Sequence, residues 1–269
     1  MTTGVRRRMG VEERRQQLID VALRLFSDRS PQDVSIDDIA TAAGISRPLV
    51  YHYFPGKHSL YEAAVRRAAD ELAARFDVPP GGPFGARLLL VMGRYFDFVE
   101  EHASGFSALL RGGSAAGSAR TDAVIDEVRQ AAYEQLLAHL GIADPGPRLA
   151  LVIRTWVGVA EATALNWLQE RSIPRWELER RLVHELLALA AVTAAFDEET
   201  AGVFRRVVEQ EPADGPFGEL VERLAALAPG VFRGPDGGTR GDAAPGGSGD
   251  PEDSGDSPAS GDTAAGDGS

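Results

Sequence analysis

Apolar residues recur at helical spacing along most of the first 230 residues. Near the N-terminus, Leu18, Ala22, Leu25 and Phe26 form one apolar stripe. Proline and glycine then break the pattern, first at 79–83. The spacing predicts later helices at 84–104, 105–111, 120–140, 148–171, 174–195, 198–210 and 216–228. Because no run alternates apolar and polar residues between hairpin turns, the chain is predicted to be all-α.

A compact helix-turn-helix is predicted between residues 35 and 54. Ser35 and Asp38 have the spacing of a capping box, which opens a helix whose inward face is Ile36, Ile39, Ala40 and Ala43. Gly44 supplies the left-handed residue that lets the chain leave this helix. Ile45 follows as a core plug, and Ser46 is placed to cap the next helix.

The next helix, predicted from Arg47 to Phe54, is only about two turns long, and Pro48 occupies its first turn. At 100° per residue, its inward side is predicted to carry Val50, Tyr53 and Phe54. Its outward side carries Pro48, Leu49, Tyr51 and His52, with Arg47 at the leading end. A short helix that exposes an arginine and aromatic residues is suited to lie in a DNA groove. Lys57 then opens a long helix that reaches Phe76.

The charge distribution is compatible with nucleic acid although the 269-residue chain has a net charge of −12. Residues 1–60 carry nine Lys/Arg against seven Asp/Glu, with a basic arm at 6–8, whereas the whole chain has 28 against 40. For DNA binding, the electrostatic field of the binding face matters more than the net charge of the whole chain. The chain has no cysteine, no run of about 18 apolar residues and no secretory signal, so a cytoplasmic protein without a membrane partner is predicted.

The C-terminal segment has a different composition from the rest of the chain. Residues 234–269 contain 11 glycines, eight acidic residues and one arginine, with none of Val, Ile, Leu, Met, Phe, Trp or Tyr. Such a segment cannot bury enough apolar surface to offset its ordering entropy. Residues 231–269 are therefore predicted to form a disordered acidic tail.

The helix-turn-helix resembles the signature of the TetR family of one-component transcription regulators. The matching run is Ile39-Ala40-x-x-Ala43-Gly44-Ile45-Ser46-x-x-x-Val50-Tyr51-x-Tyr53-Phe54-x-x-Lys57-x-x-Leu60. The resemblance implies that Arg47, Pro48 and His52 face base edges in the major groove, and that Tyr51, Lys57 and Ser35 hold phosphates. With the outward residues of the short helix, the predicted DNA-binding set is Ser35, Ser46, Arg47, Pro48, Leu49, Tyr51, His52 and Lys57.

The resemblance also implies an organisation for the whole chain. Residues 1–60 would be the DNA-binding domain with its basic arm, and 61–230 a helical ligand-binding and dimerisation domain. Helices 148–171 and 174–195 are the candidates for a homodimer interface, although their apolar faces also suit an intrachain core. Helices 84–104 and 120–140 would line a cavity for a small apolar or amphipathic effector. The implied function is a repressor that leaves an inverted-repeat operator when the effector binds.

No ligand-binding residue can be assigned from the sequence. Six polar residues stand among apolar neighbours in the predicted body: Arg94, Asp97, His102, Arg154, Glu161 and Asn166. Each residue type is more often found on a surface or in a dimer contact than against a ligand. A second hypothesis therefore stays open, in which the C-terminal domain binds a protein partner or no ligand.

An enzyme is the main competing class. The five histidines show no metal-ligand spacing, and neither a nucleophile elbow, a P-loop nor a dinucleotide-binding glycine pattern occurs. The sequence therefore predicts a non-enzymatic protein with no catalytic residue, no cofactor and no metal.

Overall fold

A computed structural model describes residues 10–110 and 118–227, which belong to one compact unit. These residues contain helices and no β-strand, as the apolar spacing predicts. The helices are α1 (Val11–Asp28), α2 (Ile36–Ala43), α3 (Arg47–Tyr53), α4 (Lys57–Arg75), α5 (Phe84–Glu101), α6 (Ala103–Leu110), α7 (Ala119–Leu140), α8 (Pro147–Glu170), α9 (Arg175–Ala194), α10 (Glu198–Gln210) and α11 (Pro216–Leu227).

The ends of these helices follow from local chemistry. Side-chain oxygens of Ser118 and Asp197 accept hydrogen bonds from the first turns of α7 and α10, which satisfies amide groups that lack a partner inside a helix. Gly44 and Gly141 end α2 and α7 with φ of +66° and +68°, a left-handed conformation that glycine adopts without a Cβ clash.

The predicted boundary between 84–104 and 105–111 is wrong. α5 ends at Glu101, and His102 adopts a non-helical conformation before α6 begins at Ala103. No glycine or proline marks this break. The side chain of His102 instead makes a tertiary contact with Ser27 of α1, which helical spacing cannot predict.

Buried apolar residues form two clusters that meet along α4. The first joins α1–α4 around Leu18, Ile39 and Val50, and it includes Val65 of α4. The second begins at Leu72, about two turns further along the same helix, and gathers inward-facing residues of α5–α11. α4 therefore supplies buried residues to both clusters, and no proline or glycine interrupts it.

Two predicted segments, the basic arm at 6–8 and the acidic tail at 231–269, lie outside the described residues. Within the described ranges, no helix combines the length and apolar character needed to cross a bilayer.

Candidate DNA-binding surface and ligand cavity

A capping box opens α2, and the left-handed Gly44 ends it ahead of α3. The Ser35 hydroxyl accepts a hydrogen bond from the Asp38 amide at 3.1 Å, and the Asp38 carboxylate accepts one from the Ser35 amide at 2.8 Å. This is the predicted capping box. The hydroxyl and then the amide of Ser35 lower the pKa of Asp38, because both hydrogen bonds favour the carboxylate. These hydrogen bonds stabilise the first turn of α2.

α3 divides into a buried and an exposed face, as its sequence predicts. Val50 is fully buried and Phe54, just after the helix, is 3% exposed, while Tyr53 is half-buried. Six of the eight predicted DNA-contact residues lie together on the exposed side of α3 and its N-cap: Ser46, Arg47, Pro48, Leu49, Tyr51 and His52. Since apolar anchors hold the other face, this surface is presented to solvent on a fixed support.

Arg47 is held along this exposed surface by two partners. Its guanidinium donates to the Asp37 carboxylate of α2 at 3.1 Å and lies 3.5 Å from the Tyr51 hydroxyl, with its charge over the Tyr51 ring. The Tyr51 hydrogen bond and then the Asp37 charge raise the pKa of Arg47. An exposed ion pair of this kind contributes little stability and is easily exchanged for another anion.

The structure corrects the predicted cap of α3. Ser46 occupies the N-cap position, but its side chain makes no capping hydrogen bond. A cap hydroxyl accepts from the second or third helical amide. Here the second residue is Pro48, which has no N–H, and the third, Leu49, donates to the Ser46 carbonyl at 2.9 Å. The Ser46 hydroxyl is exposed and has no capping role.

Ser35 and Lys57, the other two predicted DNA-contact residues, form hydrogen bonds with residues outside α3. The Ser35 hydroxyl donates to Asp38 at 2.7 Å, and the Lys57 ammonium donates to the Pro31 carbonyl at 2.9 Å. Lys57 thus ties the first turn of α4 to the α1–α2 loop, a contact that the sequence did not indicate. The ammonium also donates to the Gln32 carbonyl at 3.5 Å, so one of its three donors remains for a further acceptor.

An apolar cavity of about 110 Å³ lies inside the second cluster, between α4, α5, α6, α7 and α8. The prediction that 84–104 and 120–140 line a cavity is confirmed, and the structure adds three further helices to its wall. Aliphatic residues make up most of the lining, and five aromatic residues contribute to it: Phe76, Tyr95, Phe98, Phe106 and Trp156. Such walls bind apolar molecules through buried surface area.

Few polar groups reach this cavity. Arg129 donates to both carboxylate oxygens of Glu161, at 2.9 and 2.8 Å, and the Trp156 indole N–H donates to the Leu182 carbonyl at 2.8 Å. The Tyr95 hydroxyl is buried and has no hydrogen-bond partner among the described residues. Burial, and then the charge of Glu161, raises the pKa of Tyr95, so its hydroxyl is protonated at neutral pH.

Of the six polar residues noted in the sequence, only Glu161 lines this cavity. Arg94 donates to the Asp77 carbonyl, Asp97 pairs with Arg175, and Arg154 lies over the Tyr133 ring. Each of these three residues has a partner far away in the sequence, which explains why a polar side chain occurs between apolar neighbours. The sequence reasoning missed Tyr95 and Arg129. The only available signal was a phenol within the apolar stripe of α5, and such a position normally indicates core.

α6 connects this cavity to the first cluster. Its Phe106 lines the cavity, while Ser104 donates to the Asp28 carbonyl of α1 at 3.1 Å. The Ser27 hydroxyl donates to Leu23, so His102 Nδ1, at 2.6 Å, serves as donor to Ser27. At Gly105 a Cβ would lie 2.9 Å from the Phe26 carbonyl oxygen. α6 therefore packs directly on the C-terminal end of α1.

One group of side chains at this junction has the composition of a metal site. Ligand atoms of Glu71, Glu101 and His102 lie within 4.8 Å of one another. Arg75 pairs with both carboxylates, which offsets one of their two negative charges and occupies an oxygen of each. Burial lowers the pKa of His102, against the opposing effect of the two glutamates. We assign no ion to this group, because Arg75 already holds both carboxylates.

Comparison with known proteins gives matches across both parts of the chain. A family model described as bacterial regulatory proteins of the tetR family matches residues 18–64, and one described as tetracyclin repressor-like, C-terminal domain, matches 84–189. The crystal structure of a tetR-family transcriptional regulator from Streptomyces coelicolor is 66% identical. It covers 82% of this chain and 100% of its own, with a TM-score of 0.79.

Curated relatives match over a shorter stretch. The transcriptional activator FasR of Mycolicibacterium smegmatis is 34% identical over 101 residues, which are 37% of this chain and 46% of the relative. The regulator BetI of Cronobacter sakazakii is 36% identical over 101 residues, which are 36% of this chain and 50% of the relative. The chain thus matches about half the length of these relatives, all of which carry the names of transcription regulators.

Proposed function

The chain belongs to the TetR family of bacterial transcription regulators, and on that premise we propose that it is a homodimeric, sequence-specific DNA-binding repressor that a small molecule releases from its operator. The exposed face of α3 carries this proposal. It presents Arg47, Tyr51 and His52 to solvent, while Val50 and Phe54 anchor the opposite side. We place its action in the cytoplasm and assign it no catalytic step.

In this proposal Arg47 reads bases and other residues position the protein on the backbone. A guanidinium can donate bidentately to guanine O6 and N7, and doing so replaces its present exposed pair with Asp37. Tyr51 and Ser46 have exposed hydroxyls that can donate to phosphate. Lys57 would keep the Pro31 carbonyl on one donor and offer another to phosphate, so it would fix the α1–α2 loop and the DNA together.

Exposed faces of α8 and α9 support the dimer. On α8 an exposed stripe of mainly small and apolar residues recurs at intervals of three or four: Leu151, Thr155, Gly158 and Ala162. On and just after α9, Val192 is 66% exposed and Phe196 is 85% exposed. Residues this apolar are costly in water, and two such faces brought together by a two-fold axis would bury them.

The cavity supports a small molecule as effector, and its walls suggest how binding reaches the DNA. α4 lines the cavity with Leu72 and Phe76 and begins at Lys57 beside the DNA-binding face. α6 lines it with Phe106 and packs on α1 through Gly105. A ligand that prefers a different placement of α4 and α6 would move the two recognition helices out of register with the DNA. The coupling is reciprocal, so operator DNA would weaken ligand binding by the same factor.

A reporter gene behind the promoter region of the protein's own gene tests both parts of this proposal. Wild type should repress, and Arg47→Ala should not. Ala160 is buried in the cavity wall, so Ala160→Phe fills the cavity. This variant should still repress under growth conditions in which wild type no longer does. Ala143→Phe, at an exposed loop position, is the matched control and should respond as wild type does. Normal relief of repression in Ala160→Phe would contradict the effector site, and activation by wild type would contradict repression.

A further inference from the structure

We propose that the Tyr95 hydroxyl is the polar anchor of the cavity and that the effector is a small, neutral, mainly apolar molecule with one ring and one hydroxyl group. This inference rests on the proposed function only in taking the cavity as the effector site. It adds a chemical class and a residue that determines specificity.

Tyr95 is the polar group that the protein leaves for a ligand. The residue is 6% exposed, lines the cavity, and its hydroxyl has no hydrogen-bond partner among the described residues. A buried hydroxyl without a partner is unfavourable, so a ligand that supplies one gains the bond without displacing a protein partner. The other aromatic donor of the wall, Trp156 N–H, is already bonded to the Leu182 carbonyl.

The charges around the cavity favour a neutral ligand. Arg129 and Glu161 are the charged residues of its lining, and each satisfies the other through two hydrogen bonds. Arg129 also donates to Asp126 outside the cavity, at 3.0 Å. A carboxylate or an ammonium on the ligand would be buried without a free counter-charge, unless it first broke this pair.

The position of Glu161 favours a hydroxyl over a group that only accepts hydrogen bonds. Glu161 and Tyr95 both line the cavity, and the charge of Glu161 contributes to the raised pKa of the phenol. Each Glu161 oxygen accepts one hydrogen bond from Arg129 and has a lone pair left for a second donor. A ligand hydroxyl accepts from Tyr95 and can turn its own proton toward the carboxylate, whereas a carbonyl oxygen directs only lone pairs there.

The size and walls of the cavity favour one ring. Its volume is about 110 Å³. An engineered apolar cavity of about 150 Å³ in another protein binds benzene. The rings of Phe98, Phe106 and Trp156 supply faces and edges for contact with a ligand ring. A single ring therefore fits after small displacements of side chains, and a short alkyl chain requires the cavity to widen further.

A matched pair of probes tests the assignment, because 4-propylphenol and propylbenzene differ only in the hydroxyl. Their affinities for the full chain are measured by calorimetry, with quenching of tryptophan fluorescence as a second signal. In Tyr95→Phe the ratio of the affinity for 4-propylphenol to the affinity for propylbenzene should fall roughly 2- to 12-fold, because one net hydrogen bond is lost. Propylbenzene affinity itself should be unchanged, which also shows that the cavity is intact.

Tyr61→Phe is the control variant. Tyr61 is 5% exposed, its hydroxyl also has no partner among the described residues, and it packs on Phe26 outside the cavity. Burial raises the pKa of Tyr61 to about 12, so it too is a protonated phenol. Its removal should leave the affinity ratio at the wild-type value. An unchanged ratio in Tyr95→Phe, or an equal fall in Tyr61→Phe, would overturn the role of Tyr95.

Charged probes complete the test. Tighter binding of 4-propylbenzoate or of a 4-propylbenzyl ammonium than of 4-propylphenol would overturn the neutral class. If no probe binds wild type, the ligand class is wrong. The reporter test with Ala160→Phe then decides separately whether the cavity is the effector site, so the two failures are distinguishable.

Discussion

Two surface contacts orient the exposed side chain of Arg47. Its partners Asp37 and Tyr51 lie on the same surface, so the guanidinium is oriented along α3 and remains accessible. While Arg47 pairs with Asp37 the two charges offset each other, so moving Arg47 to a base would leave the Asp37 carboxylate unpaired, and the base contact must outweigh that cost. The proposed function assigns base reading and backbone contact to different residues, so substitutions can test the two roles separately.

Arg47→Ala should weaken binding to the preferred operator roughly 5- to 150-fold and change binding to random DNA little, because one bidentate base contact is lost. Lys57→Ala should weaken binding to both DNAs alike and reduce the salt slope by about one. Fluorescence anisotropy at several salt concentrations measures both effects. Equal losses on operator and random DNA in the two variants would contradict the assignment of base reading to Arg47.

Gly44→Ala should lower the free energy of unfolding by about 1–2 kcal/mol, because an L-residue at φ +66° is strained even where space is open. Gly202→Ala is the matched control, since a Cβ there also meets no neighbour, but the residue lies inside α10 with negative φ. It should raise the free energy of unfolding by about 0.5–1 kcal/mol. Equal effects in chemical denaturation would contradict the backbone argument.

Residue roles were predictable from sequence where they depend on near neighbours. The capping box at Ser35, the left-handed Gly44 and the two faces of α3 follow from spacings of a few residues. The predicted cap at Ser46 is wrong because Pro48 has no N–H and the Leu49 N–H donates to the Ser46 carbonyl instead. Contacts such as Lys57 with Pro31, or the unpartnered hydroxyl of Tyr95, depend on distant parts of the chain and leave no local pattern.

At the scale of elements, α4 and α6 reach from the cavity to the DNA-binding part, and Val124 of α7 also lines the cavity and packs on the first cluster. α4 could be recognised from sequence, since neither proline nor glycine interrupts it between Lys57 and Arg75. The role of α6 could not, because its contact with α1 arises from tertiary packing of Gly105 on Phe26. The same packing explains why the predicted boundary near residue 104 was misplaced.

Gly105→Ala tests the contribution of α6. The new Cβ would lie 2.9 Å from a backbone oxygen, which cannot rotate away, so α6 must shift relative to α1. We expect the free energy of unfolding to fall by about 1–3 kcal/mol and operator affinity to fall with it. Gly202→Ala should leave operator affinity unchanged. A destabilised Gly105→Ala variant with wild-type operator affinity would show that this contact carries no coupling.

At the scale of the whole molecule, the proposed dimer rests on the exposed apolar residues of α8 and α9. The sequence left open whether these helices form an intrachain core or a dimer interface. The structure shows buried faces, with Trp156 and Leu182 inside the second cluster, and separate exposed faces with Leu151 and Val192. Each helix therefore has a face for the core and another available for a second subunit.

Val192→Glu should convert the protein to a monomer with poor operator affinity, because a charge would be placed in the proposed interface. Val221→Glu is the matched control on α11, where the valine is 51% exposed, and it should leave the dimer intact. Sedimentation velocity measures the oligomeric state, and circular dichroism checks that both variants keep their helices. A monomeric wild type, or a dimeric Val192→Glu variant, would contradict this interface.

The most direct test of the account is selection of binding sites by the full-length protein from random double-stranded DNA, followed by sequencing. Two recognition helices related by a two-fold axis should enrich an inverted repeat, with half-site centres about 34–36 Å apart or a multiple of that distance. Arg47→Ala should lose preference at one base position in each half-site. Enrichment of a single unrepeated site, or of no sequence at all, would contradict a dimeric regulator that reads DNA through α3.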